Sequence, residues 1–396
     1  MKVNIILNEL LVEVTPDMHK VRRKSLQASV SSLIAGAGLS VTSLGRNIDS
    51  QSTEKHQIKR SDRLMSNHHL HREIASIYAL LTQKIIAVQK QPVILVDWSD
   101  LDPRKQHFLL RAAVAVEGRS LTLIEEIHPI STKEKPSVHK RFMERLKSIL
   151  PYDCRPIIVT DAGFRVPWFE LIKSLNWDFV GRVRNKTFCF GKHDNDWHPV
   201  KDLYQLATTT PKCLGSYQMS RRTPIDCVMV VVRKRKRGRK DLIATGERAR
   251  HSKHSRTHAA REKEPWLLAT SLSSINVAKK VVKVYQSRMQ IEESFRDLKT
   301  GLNFNASNTR QRQRLDVLLL IAVIAQFVLF IVGAIVKQRG LHRRYQANSL
   351  KDKKILSYQF VGLRAVKDRY IKIKKKSIKT AFELIQKLIK EHFYAA

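Results

Sequence analysis

The chain has 396 residues and a formal net charge of +38 at pH 7, because 73 Lys and Arg side chains outnumber 35 Asp and Glu side chains. So large an excess indicates a polyanionic partner, with nucleic acid ahead of an anionic membrane surface. The four cysteines are widely spaced and form no C-x-x-C pair, so neither a zinc ribbon nor a disulfide framework is indicated and a reducing cytosol is expected.

Residues 1–85 are predicted to form short helices joined by turns. The first segment, MKVNIILNELLVEV, has Asn and Glu where a signal peptide needs an unbroken apolar stretch, so we predict a helix of the mature protein. A later helix carries Lys59, Arg60 and Arg63 after a polar turn, an arrangement that suits DNA binding. Many helical hairpins are basic, so this pattern alone is not specific.

The next region predicts an α/β fold. PVILVDWSD (residues 92–100), FLLRAAVAV and SLTLIEEI predict an antiparallel meander of three strands. A helix over residues 137–150 comes next, and the strand PIIVT (residues 156–160) then delivers Asp161 at its end. The helix WFELIKSLN and the strand WDFVGRVR follow. Three antiparallel strands and then strands alternating with helices is the order of a ribonuclease-H-like core.

The alternation stops at about residue 185 and resumes at about 264. This segment holds strand-like pieces such as DCVMVVVRK and the basic run RKRKRGRK (residues 233–240), so we predict a β-rich insertion that bears a basic loop. His251, His254 and His258 could mimic a metal site, but without an evident Cys or carboxylate partner we favour a solvated basic loop.

The core resumes with the strand WLLATSL and a predicted helix over residues 276–300. Residues 317–336, broken only by Gln326, are long and apolar enough to cross a bilayer, but they also fit a buried central helix. We favour the buried helix, because basic sequence flanks both ends and gives no orientation preference. An amphipathic helix, AFELIQKLIKEHF, follows near the C-terminus.

These elements predict three parts. Residues 1–85 would be a helical DNA-binding domain, and residues 86–314 a ribonuclease-H-like core with its β-rich insertion at about 185–264. Residues 315–396 would hold the buried apolar helix and a basic helical region. The fold class is therefore α/β, with a mixed sheet of three antiparallel strands followed by parallel ones.

The stretch YQSRMQIEESFRDLK supplies a third acidic feature besides Asp97 and Asp161. At about 100° per residue on one helix, Tyr285, Arg288, Glu292 and Lys299 would fall within roughly 60° of one another. Glu293 would project about 100° away from Glu292. The alternative interpretation is a solvated, charged helix face.

Asp97 and Asp161 are predicted at strand ends, and Glu292 on a late helix. Carboxylates at the ends of adjacent strands converge on one edge of a sheet, and a helix across that edge adds a third. Such a cluster needs cations, and hard oxygen ligands suit Mg²⁺ or Mn²⁺. Two ions about 4 Å apart would serve phosphoryl transfer. Each acid alone has a structural alternative as a helix cap, a turn residue or a salt-bridged surface group.

The motifs VDWSD, VTDAGF and Y-x-x-R-x-x-x-E-x-x-x-x-x-x-K resemble those of the DDE transposases of bacterial insertion sequences. The resemblance is closest to the branch with a Tyr-Arg-Glu-Lys signature, which includes transposases of composite resistance transposons. It covers nearly the whole chain, including HQIKRSDRL and EPWLLATSL.

The resemblance implies a role for each matching residue. Asp97, Asp161 and Glu292 match the metal-binding triad, with two Mg²⁺ ions per active site. The residues that match DNA contacts at the transposon end are Tyr285, Arg288 and Lys299. Trp266 matches the aromatic residue that receives or supports a flipped base when the DNA end forms a hairpin, although a core tryptophan on a strand would look the same.

The activity implied is cut-and-paste transposition: end cleavage, a hairpin intermediate and strand transfer. The expected partners are double-stranded DNA, as terminal inverted repeats and as target, and a second copy of the chain in a synaptic dimer. No membrane and no small-molecule substrate are expected, and the location would be the bacterial cytoplasm, with the nucleoid. The alternatives are a metal-dependent endonuclease of the same fold without strand transfer, and a non-catalytic DNA-binding or membrane-associated protein.

Overall fold

The computed structural model describes residues 3–102, 104–184, 187–234, 264–350, 355–373 and 376–394. Most of the predicted basic run 233–240 and all three histidines of the insertion, His251, His254 and His258, lie outside the described residues. The chain divides into two compact units, Met1–Pro156 with Ser287–Ala395, and Ile157–Gln286. The predicted domain bounds at residues 85, 314 and 396 remain a prediction.

The first unit is mainly helical. Its helices before the sheet are α1 (Val3–Val14), α2 (Lys20–Ala35), α3 (Val41–Arg46), α4 (Glu54–Met65) and α5 (His68–Ile86). Polar side chains start two of them: Ser43 N donates to Ser40 Oγ at 3.2 Å before α3, and Leu70 N donates to Asn67 Oδ1 at 2.9 Å before α5. The predicted helices of this region, including the one at the N-terminus, are therefore confirmed.

A three-stranded antiparallel meander forms the sheet of the first unit. Its strands are β1 (Val93–Asp100), β2 (His107–Ala115) and β3 (Ser120–Pro129), followed by α6 (Pro136–Ile149). The turn between β2 and β3 passes through Gly118 at φ 72°, a conformation that glycine adopts without strain. The meander and the helix after it are confirmed as predicted.

The long apolar segment is a buried helix of the first unit. α10 (Arg312–Gln338, numbered after α7–α9 below) contains residues 317–336, every one of which is buried. α11 (Tyr358–Lys367) and α12 (Lys376–Tyr394) pack against it. A helix that is apolar all round and enclosed by other helices is the core element that we favoured over a membrane span. Among the described helices, α10 alone is long and apolar enough to cross a membrane.

The second unit is built on a mixed sheet of seven strands. These are β4 (Ile157–Thr160), β5 (Asp178–Arg182), β6 (Phe188–Gly191), β7 (His198–Pro199), β8 (Lys212–Met219), β9 (Ile225–Val232) and β10 (Trp266–Thr270). Their spatial order is β4-β5-β10-β9-β8-β6-β7, in which β4 and β5 are parallel and the other neighbours antiparallel. The helices of this unit are α7 (Val166–Ser174) and α8 (Val277–Gln286). The predicted strands around the insertion are present.

The predicted helix over residues 276–300 is wrong as a single element. α8 ends at Gln286, α9 (Met289–Arg296) is a separate helix, and Asp297–Gly301 forms a π-helical turn. The break coincides with the boundary between the two units, so Tyr285 belongs to the second unit and Arg288 to the first. The predicted stripe on one continuous helix face therefore does not exist.

No Pro or Gly explains this break, because none occurs in YQSRMQIEESFRDLK. We attribute it to a tertiary contact at the start of α9. Val116 N donates to Gln290 Oε1 and Gln290 Nε2 donates to Val116 O, both at 3.0 Å. This reciprocal pair fixes α9 against the β2–β3 turn, and both groups are buried, where unpaired polar atoms are costly.

Candidate active site

Asp97 lies inside β1, not at its end. The apolar run that ends at Val96 suggested a strand end, but pairing continues to Asp100, which lies opposite Phe108. The burial pattern does change at Asp97, from fully buried residues to half-buried ones. Trp98 N donates to Asp97 Oδ1 at 2.8 Å. The second carboxylate oxygen, Oδ2, lies near the guanidinium of Arg288.

Arg288 joins two of the predicted acidic residues. Its Nη1 lies 2.6 Å from Glu292 Oε1 and 3.6 Å from Asp97 Oδ2. The side chains of Arg288 and Asp97 are 15% and 14% exposed, whereas that of Glu292 is 41% exposed. The first unit therefore brings Asp97, Arg288 and Glu292 together at a site that solvent reaches from the Glu292 side.

Glu293 makes different contacts from Glu292, as the helical geometry predicts. Its carboxylate pairs with Arg296 and lies 3.4 Å from Arg119 Nη2. Arg119 also donates from Nε to Asp297 Oδ2 at 2.6 Å. The two adjacent glutamates therefore pair with different arginines, Glu292 with Arg288 and Glu293 with Arg296 and Arg119.

A buried arginine supports the helix that carries Glu292. Arg111, opposite Asp97 in the register of β1 and β2, is fully buried. Its Nη1 donates to Ser294 Oγ at 2.8 Å, and its guanidinium lies 4.8 Å from the ring centre of Phe295. The side chain of Arg111 thus connects the strand pair β1–β2, which includes Asp97, to helix α9, which carries Glu292.

Lys299 is half-buried on the π-helical turn of the first unit. Burial lowers the pKa of its ammonium group, the nearby Asp100 carboxylate raises it and Arg111 lowers it further. The side chain is therefore close to charged groups of β1 and β2, but the structure records no direct ion pair between Lys299 and Glu292 among the described residues.

Asp161 belongs to the second unit and follows β4 directly, as predicted. Gly163 N donates to Asp161 Oδ1 at 2.8 Å, so the carboxylate also forms a turn at the start of α7. It lines a groove of about 680 Å³ whose other lining residues include several arginines. These arginines are not evident from the sequence alone, although the i, i+2 spacing of Arg182 and Arg184 at the end of β5 puts both on one face of an extended chain.

Trp266 and Tyr285 contact each other in the second unit. Their ring centres are 4.8 Å apart in an edge-to-face arrangement, and Lys234 Nζ lies 3.8 Å from the ring centre of Trp266. Tyr285 is 3% exposed and Trp266 is half-buried. Of this pair, only Trp266 is partly exposed to solvent.

The three predicted cations of the N-terminal region lie on α4. Lys59 and Arg63 are exposed, whereas Arg60 is half-buried and donates to Lys24 O at 2.9 Å and to Ser25 Oγ at 3.2 Å. Arg60 and Arg63 line a groove of about 580 Å³ together with residues of α2 and the loops beside it.

The carboxylates of the first unit fit a hard divalent cation. Asp97 and Glu292 present oxygen atoms to one cationic nitrogen already, and carboxylate oxygens are the donors that Mg²⁺ and Mn²⁺ prefer. In neither unit do the described residues form a group of three or more His, Cys, Asp and Glu side chains placed to hold a metal. The predicted triad is divided between the units, with Asp97 and Glu292 in the first and Asp161 in the second.

A mixed α/β fold with a large cationic excess indicates a protein that binds nucleic acid. Residues 88–328 match the family model described as Transposase DDE domain, and this match covers more than half of the chain. The chain therefore belongs to the Transposase DDE domain family. No curated protein sequence matches it.

Membership of the family establishes the general activity. The chain is a DDE transposase, an enzyme of DNA transposition and recombination, and DNA is its partner. DDE transposases use divalent metal ions. The predicted transposase class is thus confirmed.

Proposed function

We propose that the chain is a cut-and-paste transposase of the Tyr-Arg-Glu-Lys branch, with a ribonuclease-H-like core, in which Asp97, Asp161 and Glu292 form one active site. The observation that carries the proposal is the convergence of Asp97 and Glu292 on the guanidinium of Arg288. Two carboxylates so close together repel each other, and the positive charge of Arg288 offsets this repulsion. The antiparallel meander followed by the parallel pair β4–β5 supports the ribonuclease-H-like core.

The residues would act by holding charge and phosphate in place. Asp97, Asp161 and Glu292 would hold two Mg²⁺ ions, which neutralise the developing charge on the attacking and leaving oxygens. Arg288 lies next to two of these carboxylates, so it can also hold a phosphate of the DNA end near them. No side-chain base is needed, because positioning and charge neutralisation supply most of the rate enhancement in phosphoryl transfer.

The reaction would proceed in four exchanges of a P–O bond. Water cleaves one strand and releases a 3′-hydroxyl. This hydroxyl attacks the opposite strand and closes a hairpin on the element end. A second water opens the hairpin, and the same 3′-hydroxyl joins a phosphate of the target DNA. Each step breaks one P–O bond and forms another, so no oxidant or reductant is required.

The other predicted residues would contact the DNA end. We propose that Lys59, Arg60 and Arg63 on α4 bind the terminal inverted repeats, and that Lys299 contacts phosphates near the cleavage site. Trp266 would receive or support the flipped base of the hairpin. Tyr285 is buried behind it, so its contribution would pass through its edge-to-face contact with Trp266.

We further propose a dimer in the synaptic complex, where each subunit cleaves the end bound by its partner, and action in the bacterial cytoplasm at the nucleoid. The amphipathic pattern of α12 supports a dimerisation role for the C-terminal region.

The test uses three isosteric variants, Asp97→Asn, Asp161→Asn and Glu292→Gln, in an assay of end cleavage and joining with Mg²⁺. The substrate is the DNA that flanks the reading frame, searched for short inverted repeats. Each variant is expected to lose cleavage by at least about 10³-fold, with end binding retained, because electrostatic stabilisation at the reacting phosphate is lost.

The matched control is Glu293→Gln, which changes the adjacent carboxylate that pairs with Arg296 and Arg119. It should cleave within a few-fold of the wild type. Normal cleavage by any of the first three variants would remove that residue from the site. Cleavage without joining by the wild type would indicate an endonuclease instead.

A further inference from the structure

The groove beside Asp161 is strongly cationic. Five arginines line it: Arg165, Arg182, Arg184, Arg221 and Arg222. We call this surface the arginine groove. Asp161 is the one carboxylate among its lining residues that the structure describes. The lining arginines come from three separated parts of the second unit: the start of α7, the end of β5 and the turn between β8 and β9.

The cations in this groove are crowded. Burial lowers the pKa of the Arg182 guanidinium, and the neighbouring Arg184 lowers it further. The Nε atom of Arg182 is buried and has no hydrogen-bond partner, although its Nη2 donates weakly to backbone oxygens of Glu264 and Pro265 at 3.5 and 3.4 Å. Glu264 Oε2 lies 3.6 Å from Arg184 Nε and offsets part of this charge. The five lining arginines still outnumber the two carboxylates, Asp161 and Glu264, so the groove is complementary to a negatively charged ligand.

The groove also offers a flat surface for stacking. Phe188 is half-buried in its lining, and the guanidinium of Arg221 lies 4.0 Å from the centre of its ring. Arg221 is held there because its Nη2 donates to Trp197 O at 2.9 Å. An aromatic ring and a guanidinium plane are the two surfaces on which proteins stack unpaired bases.

The size of the groove suits a short segment of nucleic acid. A volume of about 680 Å³ lies within the range of sites for drug-sized ligands, which a one- or two-nucleotide segment also fits. Duplex DNA is read by elements that enter its grooves or track both strands, and it hides the faces of its bases. Arginines around a half-buried aromatic ring instead match the sites that bind single strands.

We infer that the arginine groove binds one unpaired DNA strand, with its phosphates on the arginines and a base against Phe188 and Arg221. The inference rests on the proposed role of Asp161 in cleavage, because the strand in the groove would continue from the phosphate at that residue. It adds a site for unpaired DNA that is distinct from the cations of α4 and from Trp266.

The binding test uses the full chain and two fluorescent probes, a 12-nucleotide oligothymidylate and a duplex of the same length. The double variant Arg221→Gln/Arg222→Gln changes the two exposed arginines of the β8–β9 turn. It is expected to weaken single-strand binding at least 10-fold. It should also reduce the slope of log K against log salt concentration by about 1.4, because each lost phosphate contact contributes about 0.7 on a single strand. Duplex affinity should change less than 2-fold.

The control double variant is Lys201→Gln/Lys212→Gln, which removes two exposed cations of the same unit outside the groove. It should leave single-strand binding within 2-fold of the wild type. Equal losses by both double variants would mean that general charge is responsible, and equal losses for both probes would mean that the groove does not distinguish unpaired DNA. Either result overturns the inference.

Two further measurements separate the other outcomes. Phe188→Leu should abolish the quenching of a 2-aminopurine base placed in the single strand while it keeps the charge of the groove. Tripolyphosphate should fail to displace the oligonucleotide at equal phosphate concentration, and efficient displacement would identify a small polyphosphate as the ligand instead. Asp161→Asn should retain single-strand binding. If this variant also cleaved DNA normally, the proposed triad would be disproved, whereas the inference about single-strand binding in the arginine groove would stand.

Discussion

Arg111 and Glu125 form a buried ion pair in the first unit, in which Arg111 Nε donates to Glu125 Oε2 at 2.7 Å. Both side chains are at most 1% exposed. The Tyr78 hydroxyl donates a hydrogen bond to Glu125 Oε1 at 2.7 Å. Burial raises the pKa of Tyr78 well above its usual value, and the negative charge of Glu125 raises it further. The pair thus links α5 and β3 to β2, and through Ser294 to the helix of Glu292.

Replacing Arg111 alone should destabilise the protein strongly. Arg111→Met leaves the Glu125 carboxylate buried without its cation, so we expect a loss of about 3–5 kcal/mol in the free energy of unfolding. The double variant Arg111→Met/Glu125→Met should lose much less than the sum of the single variants, because no buried charge remains. Urea unfolding monitored by circular dichroism measures both. A loss below about 1 kcal/mol in the single variant would show that the site takes up water.

The stability of the protein should also depend on pH through His139. Its Nε2 accepts a hydrogen bond from Trp98 Nε1 at 3.1 Å, next to Asp97 in the chain, and this contact requires the neutral ring. Burial lowers the pKa of His139 to about 4, against an opposing effect of Glu134, and His128 lowers it further. Because the folded pKa lies below the unfolded value of 6.5, the contribution of this group is complete above pH 6.5. It is lost as the pH falls from 6.5 towards about 4.

Between pH 7.5 and pH 4.5 we therefore expect about 2 kcal/mol of this stabilisation to disappear, since one pKa unit corresponds to about 1.4 kcal/mol. His139→Gln removes the titrating group, and its free energy of unfolding should change less over the same range. Urea unfolding at the two pH values compares the variant with the wild type. Identical pH dependence in both would mean that other groups account for the effect.

The sequence predicted those elements whose signals are local. The meander, the strand before Asp161 and the buried helix each follow from apolar runs between turn residues, and the separation of Glu292 from Glu293 follows from helical geometry. The break after Gln286 could not be predicted, because no Pro or Gly marks it and the start of α9 is held by Val116, 174 residues before Gln290 in the chain. The sequence predicts a strand end at Asp97 because the apolar run stops at Val96, whereas backbone pairing continues to Asp100.

The same distinction applies to the candidate site. Two of the carboxylates could be selected from the sequence because Asp97 and Asp161 directly follow apolar runs. Glu292 could be selected because its spacing from Arg288 is an ordinary i, i+4 pair. The arginine groove could not be found in this way. Its arginines are separated by up to 57 positions and meet only because strands β5, β8 and β9 lie in one sheet. Non-local charge clusters of this kind need the fold before they can be seen.

The cations of α4 should differ in their effect on DNA binding. Lys59 and Arg63 are exposed, so Lys59→Ala and Arg63→Ala should each weaken binding to the element end and reduce the salt slope by about 0.9, with stability unchanged. Arg60→Ala should in addition lower the free energy of unfolding by about 1 kcal/mol, because its hydrogen bonds to Lys24 and Ser25 are lost.

Fluorescence anisotropy over a range of salt concentrations measures the slopes, and urea unfolding measures stability. Lys147→Ala on α6 is a suitable control, because Lys147 is an exposed cation of the same unit on a different helix. An Arg60→Ala variant that keeps full stability would show that its contacts to α2 are not significant. An unchanged salt slope in Lys59→Ala and Arg63→Ala would exclude α4 from the DNA interface.

Arg288 should compete with divalent ions for Asp97 and Glu292. Its Nη1 contacts both carboxylates, so it contributes positive charge where a metal ion would bind. Arg288→Gln removes this charge, and we expect Mn²⁺ to bind several-fold more tightly, as measured by isothermal titration calorimetry without DNA. At saturating metal the same variant should cleave at least 10-fold more slowly, because the phosphate loses a bidentate partner. Arg296→Gln is the matched control, since Arg296 pairs with Glu293 on the same helix, and it should change neither quantity. Weaker Mn²⁺ binding in Arg288→Gln would mean that the arginine orients the two carboxylates for the ion rather than competing with it.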